Sequence, residues 1–465
     1  MTKLSDFGLV GLGVMGRNFI LNVADNGFSV MGLDTDEEKV AALKSEGSEV
    51  TVDGTTNSET FIKSLAAPRK IMLLVPAGKI VDTVIESLLP FLEKGDIIID
   101  GGNSFFEDTE NRINYLEAKG IHFFGSGVSG GAKGARFGPS IMPGGNKQAY
   151  EHVRPVFEAA SAKVDGEPCV AYMGKGSAGN YVKMVHNGIE YAMMQLISEV
   201  YDIAHRGFGY SNEKLATLFG EWNNGALQSF LMEITAEIFT KKDDLGDGYL
   251  VDKILDKAKQ KGTGKWTSQN AMDLGIPVPT IDAAVTMREI SALKAQRTEA
   301  NQIFGSANNS EMNVPDEKAL ENTLLFAFVI SYTQGMSQLK AASEEYGYEL
   351  NFETIAKIWR GGCIIRASLL EDIRKAFDKD PGLDSLLLDE YFSGLMKGLH
   401  KDARKVIHYA VSHEIPVSGL TSALSYFDAF KSNRLPLNLI QAQRDHFGSH
   451  TYERLDKDGI FHTEW

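Results

Sequence analysis

Cysteine is nearly missing from this chain: two residues in 465, Cys169 and Cys363, stand far apart in sequence. That leaves no disulfide framework and fits a reducing, cytoplasmic compartment. No stretch approaches the roughly 18 consecutive apolar residues of a membrane-spanning helix, so no membrane partner is expected. Basic side chains are outnumbered 47 to 62, for a formal net charge of -15. This balance argues against a nucleic-acid partner or an anionic membrane surface, and an anionic substrate would need a local basic cluster. Met1–Asp6 carries neither a basic stretch followed by an apolar core nor an Arg-rich amphipathic pattern, so no targeting segment is expected. A metal centre is also poorly supported. His446 and His450 have i,i+4 spacing, but Gly448 would interrupt any helix there and no glutamate completes a zincin motif. Redox chemistry would then come from an organic cofactor.

At 465 residues the chain exceeds what one core usually serves, so two or more domains are expected. In the N-terminal third, the apolar runs Phe7–Leu12, Ser29–Leu33, Lys70–Val75, Asp96–Asp100 and Ile121–Phe124 alternate with amphipathic stretches. That rhythm predicts βαβ units and a doubly wound, Rossmann-type α/β sheet over residues 1–177. From about Ala178 long segments of 3.6-residue period take over, such as Tyr181–His205 and Glu317–Tyr346, predicting an all-helical domain over 178–435. It contains a possible internal repeat. Met194-Gln195-Leu196 leading to Gly209-Tyr210 is matched by Ser337-Gln338-Leu339 leading to Gly347-Tyr348, and each copy then reaches a tryptophan near glycines, Trp222 or Trp359. Unrelated amphipathic helices can also look alike in this way. The remaining tail, 436–465, is polar and aromatic without clear periodicity, yet it keeps Phe447, Tyr452, Phe461 and Trp465, which suggests that it docks on something.

Gly11-Leu12-Gly13-Val14-Met15-Gly16 follows the first strand and opens a helical segment, the context of a dinucleotide-binding turn. The first glycine permits the turn, the second lets backbone approach a pyrophosphate, and the third allows helix and strand to pack closely. Asp34, at the end of the second strand, is placed to accept hydrogen bonds from an adenosine ribose and to repel a 2′-phosphate. Thr35, Asp36, Glu37 and Glu38 include no arginine that could neutralise one, so NAD is favoured over NADP; the bland alternative is that Asp34 caps the next helix. Asp100-Gly101-Gly102-Asn103-Ser104 closes a fourth hydrophobic strand and puts Asn103 at the carboxyl edge of the sheet, where such folds bind ligands, or in a simple turn. Gly127-Val128-Ser129-Gly130-Gly131, Gly134-Ala135-Arg136 and Pro143-Gly144-Gly145 form a glycine-dense region that could offer backbone amides.

Lys183, Asn187 and Glu190 share one face of an otherwise apolar helix, flanked by His186 and Tyr191. An acid and a base could there act on one small molecule, although an ordinary solvated i,i+4 network has the same spacing. Lys261-Gly262-Thr263-Gly264-Lys265-Trp266 lacks the spacing and the preceding strand of a nucleoside-triphosphate loop, but its lysines and amide-rich turn could hold a phosphate. Arg288, Arg444 and His450 are further anion candidates, or simply surface charge.

Taken in order, Gly11–Gly16, Asp100–Ser104, Val128–Gly131, Lys183–Tyr191, Lys261–Trp266 and Gln443–Tyr452 resemble the motif series of the 6-phosphogluconate dehydrogenases, the long-chain type of the β-hydroxyacid dehydrogenase superfamily. The resemblance implies oxidative decarboxylation of 6-phospho-D-gluconate to D-ribulose 5-phosphate and CO2 with NAD(P)+. It implies that Lys183 is the general base and Glu190 the general acid. It implies that Asn103, Ser129, Gly130, Gly131, His186 and Asn187 hold the carboxylate and hydroxyls, while Tyr191, Lys261, Thr263 and Arg288 grip the phosphate. Gly11, Leu12, Gly13, Val14, Met15, Gly16, Asp34, Val75 and Asn103 would contact the cofactor. Arg444 and His450 would come from the partner subunit of a homodimer, whose tail completes the neighbour's site. Members that use NADP usually carry Asn-Arg-Thr where this chain has Asp34-Thr35-Asp36, and often a lysine where Pro76 stands, so NAD is the expected preference. The alternatives are a related dehydrogenase of a smaller β-hydroxyacid, typically a much shorter chain, and a non-catalytic nucleotide-sensing scaffold.

Overall fold

Seven short strands, most of them aliphatic and buried on both faces, build the first half of the molecule. They are β1 (Phe7–Val10), β2 (Val30–Leu33), β3 (Val52–Thr55), β4 (Lys70–Leu73), β5 (Ile97–Asp100), β6 (His122–Ser129) and β7 (Ser140–Gly144). This computed structural model describes residues 4–47, 51–305 and 313–465, so the reading of Met1–Asp6 falls partly outside them. Among the described residues the sheet order is β3-β2-β1-β4-β5-β6-β7. Every pairing is parallel except β6 with β7, where Gly125 faces Gly144 and Ser129 faces Ser140. Helices α1 (Val14–Asp25), α2 (Glu37–Glu46), α3 (Ser58–Lys63), α4 (Lys79–Leu88), α5 (Phe106–Glu117), α6 (Gly131–Phe137) and α7 (Lys147–Ala160) form the crossovers and cover the faces. A short hairpin, β8 (Lys163–Val164) with β9 (Glu167–Pro168), leads out of this half.

The α/β expectation holds, with three corrections. Asp96–Asp100 belongs to the fifth strand, not the fourth, because β3 intervenes. Val52-Asp53-Gly54-Thr55 offers a single large apolar residue, too little for a period-2 signal. Residues 127–129 and 143–144, read as a glycine-dense region that could offer backbone amides, are strand: their backbone is engaged in the ladder, and a Cβ on Gly127 or Gly144 would run into the helix Ala178–Asp202. Asp36, not Asp34, caps α2, through the Glu38 and Lys39 amides.

The second half is helical: α8 (Ala178–Asp202), α9 (Asn212–Trp222), α10 (Phe230–Thr240), α11 (Thr263–Asp273), α12 (Pro279–Ala292), α13 (Lys294–Phe304), α14 (Glu317–Glu345), α15 (Phe352–Trp359), α16 (Leu369–Lys379), α17 (Glu390–Ser412), α18 (Ser418–Phe430) and α19 (Leu437–Gly448). α8 and α14 are apolar almost all round, as central helices must be, and pack against one another inside a single core. The same turn enters α12 and α18. Gly275 (φ 68°) and Glu414 (φ 55°) are both left-handed, and Val278 (φ -127°, ψ 48°) and Val417 (φ -136°, ψ 50°) precede the two helices. A one-residue antiparallel bridge joins Ser229 to Ala367 between the α9–α10 and α15–α16 pairs. No helix among the described residues is long and apolar enough to cross a membrane.

The tail departs from expectation. It begins with a regular helix, α19, and ends in a hairpin of β10 (Tyr452–Glu453) and β11 (Ile460–Phe461). Periodicity failed to reveal α19 because its apolar residues Leu437, Leu439, Ile440 and Phe447 are exposed and Asp445 is its buried residue.

Candidate active site

Gly11 takes φ 96°, and a Cβ on Gly16 would come within 1.9 Å of the Gly11 carbonyl oxygen, so both positions exclude other residues. A Cβ on Gly13 would meet nothing within 4 Å, and no side chain caps α1. The N-terminus of α1 is therefore open, which fits a bound pyrophosphate. Asp34 sits beside it. Its Oδ2 accepts from the Leu12 amide at 2.7 Å and its Oδ1 from the Asp36 amide at 3.0 Å, tying the glycine turn to the end of β2. Lys39, which the sequence reading overlooked, lies 3.5 Å from Asp34 and 3.6 Å from Asp36. Val75 and Asn103 follow β4 and β5, whose carboxyl ends lie beside that of β1.

Below Asn103, the buried Asp100 accepts from the Ser104 hydroxyl (2.6 Å) and the Gly102 amide (3.0 Å). Arg112 lies 3.6 Å from Asp100 and donates to Asp82 and to the Gly78 carbonyl, so one guanidinium braces the loops after β4 and β5. Asn180 of α8 donates to the Gly102 carbonyl at 3.2 Å. Asp100 opens the Asp100–Ser104 motif, but Arg112 and its pairing with Asp100 had no signal in the sequence, since a buried Asp–Arg pair leaves no local pattern.

Close packing brings α8 onto the sheet. A Cβ at Gly127 would approach the Lys183 Cβ to 2.3 Å, and one at Gly179 would come within 2.4 Å of the Gly125 carbonyl oxygen. Lys183 is thus held against β6 near Ser129 with 6% of its surface exposed. Its Nζ donates to Asn187 Oδ1 at 2.7 Å and lies 3.3 Å from His186 Nδ1. His186, fully buried, reaches Ser129 Oγ through Nε2 at 3.3 Å and meets the Trp359 ring edge-on at 5.6 Å. Burial lowers the Lys183 pKa, with Glu190 pulling the other way, and burial with the Lys183 charge holds His186 well below its ordinary value. Burial raises Glu190, against the pull of Lys183 and Arg288. Burial therefore moves the amine towards its neutral form and the carboxyl towards its protonated form.

The adjoining wall is cationic. Arg288 of α12 stacks 3.4 Å over the Tyr191 ring. Tyr191 in turn lies against Gly264, where a Cβ would meet the ring at 2.3 Å. Gly262 (φ 102°) precedes α11, Thr263 is its first residue, and the Thr267 hydroxyl donates to the Met184 carbonyl at 2.9 Å, so the Lys261 loop is anchored to α8. Lys261 is exposed at the rim. Gly130 and Gly131, both left-handed, start α6 beside Gly362, and the Ile364 amide donates to Ser129 Oγ at 3.4 Å. Trp359, Gly362 and Ile364 were missed as neighbours of the site because they come from α15 and the loop after it.

The structure thus gathers Ser129, Lys183, His186, Asn187, Glu190, Tyr191, Thr263 and Arg288. Arg444 and His450 stand apart: both are exposed on the tail, and among the described residues no hydrogen bond or ion pair ties them to the Lys183 cluster.

Comparison with known proteins finds relatives along the whole chain. Residues 6–174 match the NAD binding domain of 6-phosphogluconate dehydrogenase, and residues 179–465 match the 6-phosphogluconate dehydrogenase C-terminal domain. The chain is 52% identical, over 98% of each sequence, to the Bacillus subtilis protein named 6-phosphogluconate dehydrogenase, NADP(+)-dependent, decarboxylating. It is 49% identical, again over 98% of each, to the decarboxylating 6-phosphogluconate dehydrogenase of Escherichia coli. A solved Plasmodium falciparum 6-phosphogluconate dehydrogenase, studied with its cofactor NADP+ and its substrate 6-phosphogluconate, superposes with a TM-score of 0.96 at 47% identity, covering 99% of this chain and 100% of that one.

Proposed function

The chain belongs to the 6-phosphogluconate dehydrogenase family, and from that membership we propose that it converts 6-phospho-D-gluconate to D-ribulose 5-phosphate and CO2. The nicotinamide, when bound, supplies the hydride acceptor. Lys183 takes the proton of the 3-hydroxyl as hydride leaves C3, and the ammonium so formed polarises the 3-ketone. Cleavage of the C1–C2 bond releases CO2 and leaves its electrons in an enediol as the Lys183 ammonium protonates the former ketone oxygen; Glu190 then protonates the carbon while Lys183 takes that hydroxyl proton back. The observation that carries this reading is Lys183 itself, enclosed, lowered in pKa and aimed by Asn187 and His186.

Asn103, Ser129, Gly130, Gly131, His186 and Asn187 surround the substrate's carboxylate and hydroxyls, and Tyr191, Lys261, Thr263 and Arg288 its phosphate. Arg444 and His450 reach the site of the other subunit in a homodimer, which accounts for a tail whose apolar side chains, among them Ile440, Phe447 and Trp465, are left exposed. The preferred cofactor is NAD+. Asp34 repels a 2′-phosphate, and Lys39 is shared between Asp34 and Asp36, leaving little positive charge to offset them. The helical region is two copies of one unit, and the enzyme is cytoplasmic.

The test is cofactor reduction together with CO2 release from 6-phosphogluconate. Turnover by the wild type that is retained in Lys183→Ala would remove Lys183 as the base.

A further inference from the structure

Thr451 and Ser449 are left-handed without being glycine, with φ 61° and 51°, and they flank His450 on both sides. A β-branched residue in that region is strained and persists only where its surroundings hold it. The usual economy would place glycine at the left-handed position after a helix. Here the glycine comes one residue earlier, at Gly448, and a Cβ there would come within 2.7 Å of the His450 ring. The sequence thus gives up backbone ease at Ser449 to make room for the imidazole.

What holds the turn is Asp445, a residue with no role so far. Although it lies on an exposed helix, its surface is fully covered. Its Oδ1 accepts from the Thr451 amide at 2.9 Å and from His462 Nδ1 at 2.8 Å. Its Oδ2 accepts from the Thr463 amide and from the Trp465 indole, both at 3.0 Å. Four donors from both ends of the hairpin therefore converge on one carboxylate. Burial alone would raise its pKa, but these hydrogen bonds prevail and hold it down to about 2. Gln441 adds a hydrogen bond to the Thr451 carbonyl, and Tyr452 joins Thr463 across the hairpin. The His450 ring nitrogens, by contrast, make no hydrogen bond among the described residues, and Arg444 donates only to Gln441.

We propose that Asp445 is the positioning residue of the tail: its carboxylate clamps the strained Ser449–His450–Thr451 turn so that His450, and Arg444 one residue before the clamp, are preorganised to meet the anionic substrate. The inference rests on the reading that the tail enters a substrate site. A tail without the clamp would bind only after ordering itself, so the loss falls on substrate affinity and spares the cofactor.

The experiment uses the full-length enzyme and four variants: Asp445→Asn, His450→Ala, Thr451→Gly and the double variant Asp445→Asn with Thr451→Gly. Asp445→Asn turns a donor towards donors. It is expected to raise KM for 6-phosphogluconate about tenfold while KM for the cofactor changes by less than about twofold, and to shift the Trp465 indole proton resonance. Glycine adopts the Thr451 conformation without strain, so the double variant should recover part of the lost affinity. Unchanged substrate KM in Asp445→Asn, or parallel rises for substrate and cofactor, overturns the proposal. Failure of Thr451→Gly to rescue overturns the strain argument and with it the clamp. If His450→Ala also leaves substrate KM untouched, the tail reading itself falls; if His450→Ala raises it and Asp445→Asn does not, only the role of Asp445 falls.

Discussion

On the proposed mechanism Lys183 must be without its proton before it can accept one, and Glu190 must hold a proton before it can give one. Burial moves both in the required direction, lowering the amine and raising the carboxyl. The sign of the pH dependence follows. Turnover climbs as pH rises through the depressed Lys183 pKa, because the neutral amine is the active form, and falls as pH rises through the raised Glu190 pKa, because the carboxylate has nothing to donate. Glu190→Gln should therefore lower kcat by roughly 10²–10⁴-fold and lose the falling limb; a pH–rate profile that keeps that limb would assign it elsewhere. His186 stays neutral through this range, being held well below its ordinary value by burial and by Lys183. At the cofactor end, Asp34→Asn keeps acceptor capacity for the Leu12 and Asp36 amides but removes the charge facing a 2′-phosphate. The ratio of kcat/KM for NADP+ over NAD+ should rise about tenfold or more in this variant, and an unchanged ratio would show that Asp34 does not set the preference.

At the scale of elements, the site depends on one helix lying against one strand with nothing between them. Gly127 is the point of closest approach, since an added Cβ would stand 2.3 Å from the Lys183 Cβ, an atom fixed to the helix backbone. Gly127→Ala should push α8 off β6, cost about 1–3 kcal/mol of stability by overpacking, and lower kcat more than it raises KM. Urea unfolding with steady-state kinetics checks it, and an unchanged midpoint would mean that the helix slides without penalty. The same closeness explains why the glycine-dense segment around residue 127 resists a sequence reading. Gly127 and Gly125 are strand residues chosen for what crosses them, whereas Gly130 and Gly131 are the turn residues they resemble. The Thr267 hydroxyl bonded to the Met184 carbonyl is a second such fixture, joining the lysine helix to the loop of Lys261 and Thr263.

At the scale of the whole molecule, a tail that serves another subunit makes a prediction about mixtures. Lys183→Ala spoils the site in its own subunit, and His450→Ala spoils the site its tail would enter. In a hybrid dimer one site then carries both defects and the other neither, so at substrate concentrations well below the raised KM of His450→Ala, mixing and reassociating the two variants should restore about a quarter of wild-type activity. No recovery, with hybrids verified by mass, would place the tail in its own subunit's site.

The chain's local chemistry was readable without coordinates. The glycine turn after β1, the carboxylate ending β2, the lysine helix with its i,i+3 and i,i+4 partners and the change from sheet to helix each depend on residues a few positions apart, where dihedral preference and periodicity act. Strand β3, with its single valine, and α19, with its apolar face turned outward, escaped because their order comes from neighbours rather than from their own pattern. Tertiary structure alone decided that Ser129 meets His186, that Lys183 is buried with its pKa lowered, that Asp100 and Arg112 brace the loops after β4 and β5, and that Asp445 gathers the far end of the tail. These are contacts between residues distant in sequence, and packing, which removes water and sets which dipoles face each charge, exists only once the whole chain has folded.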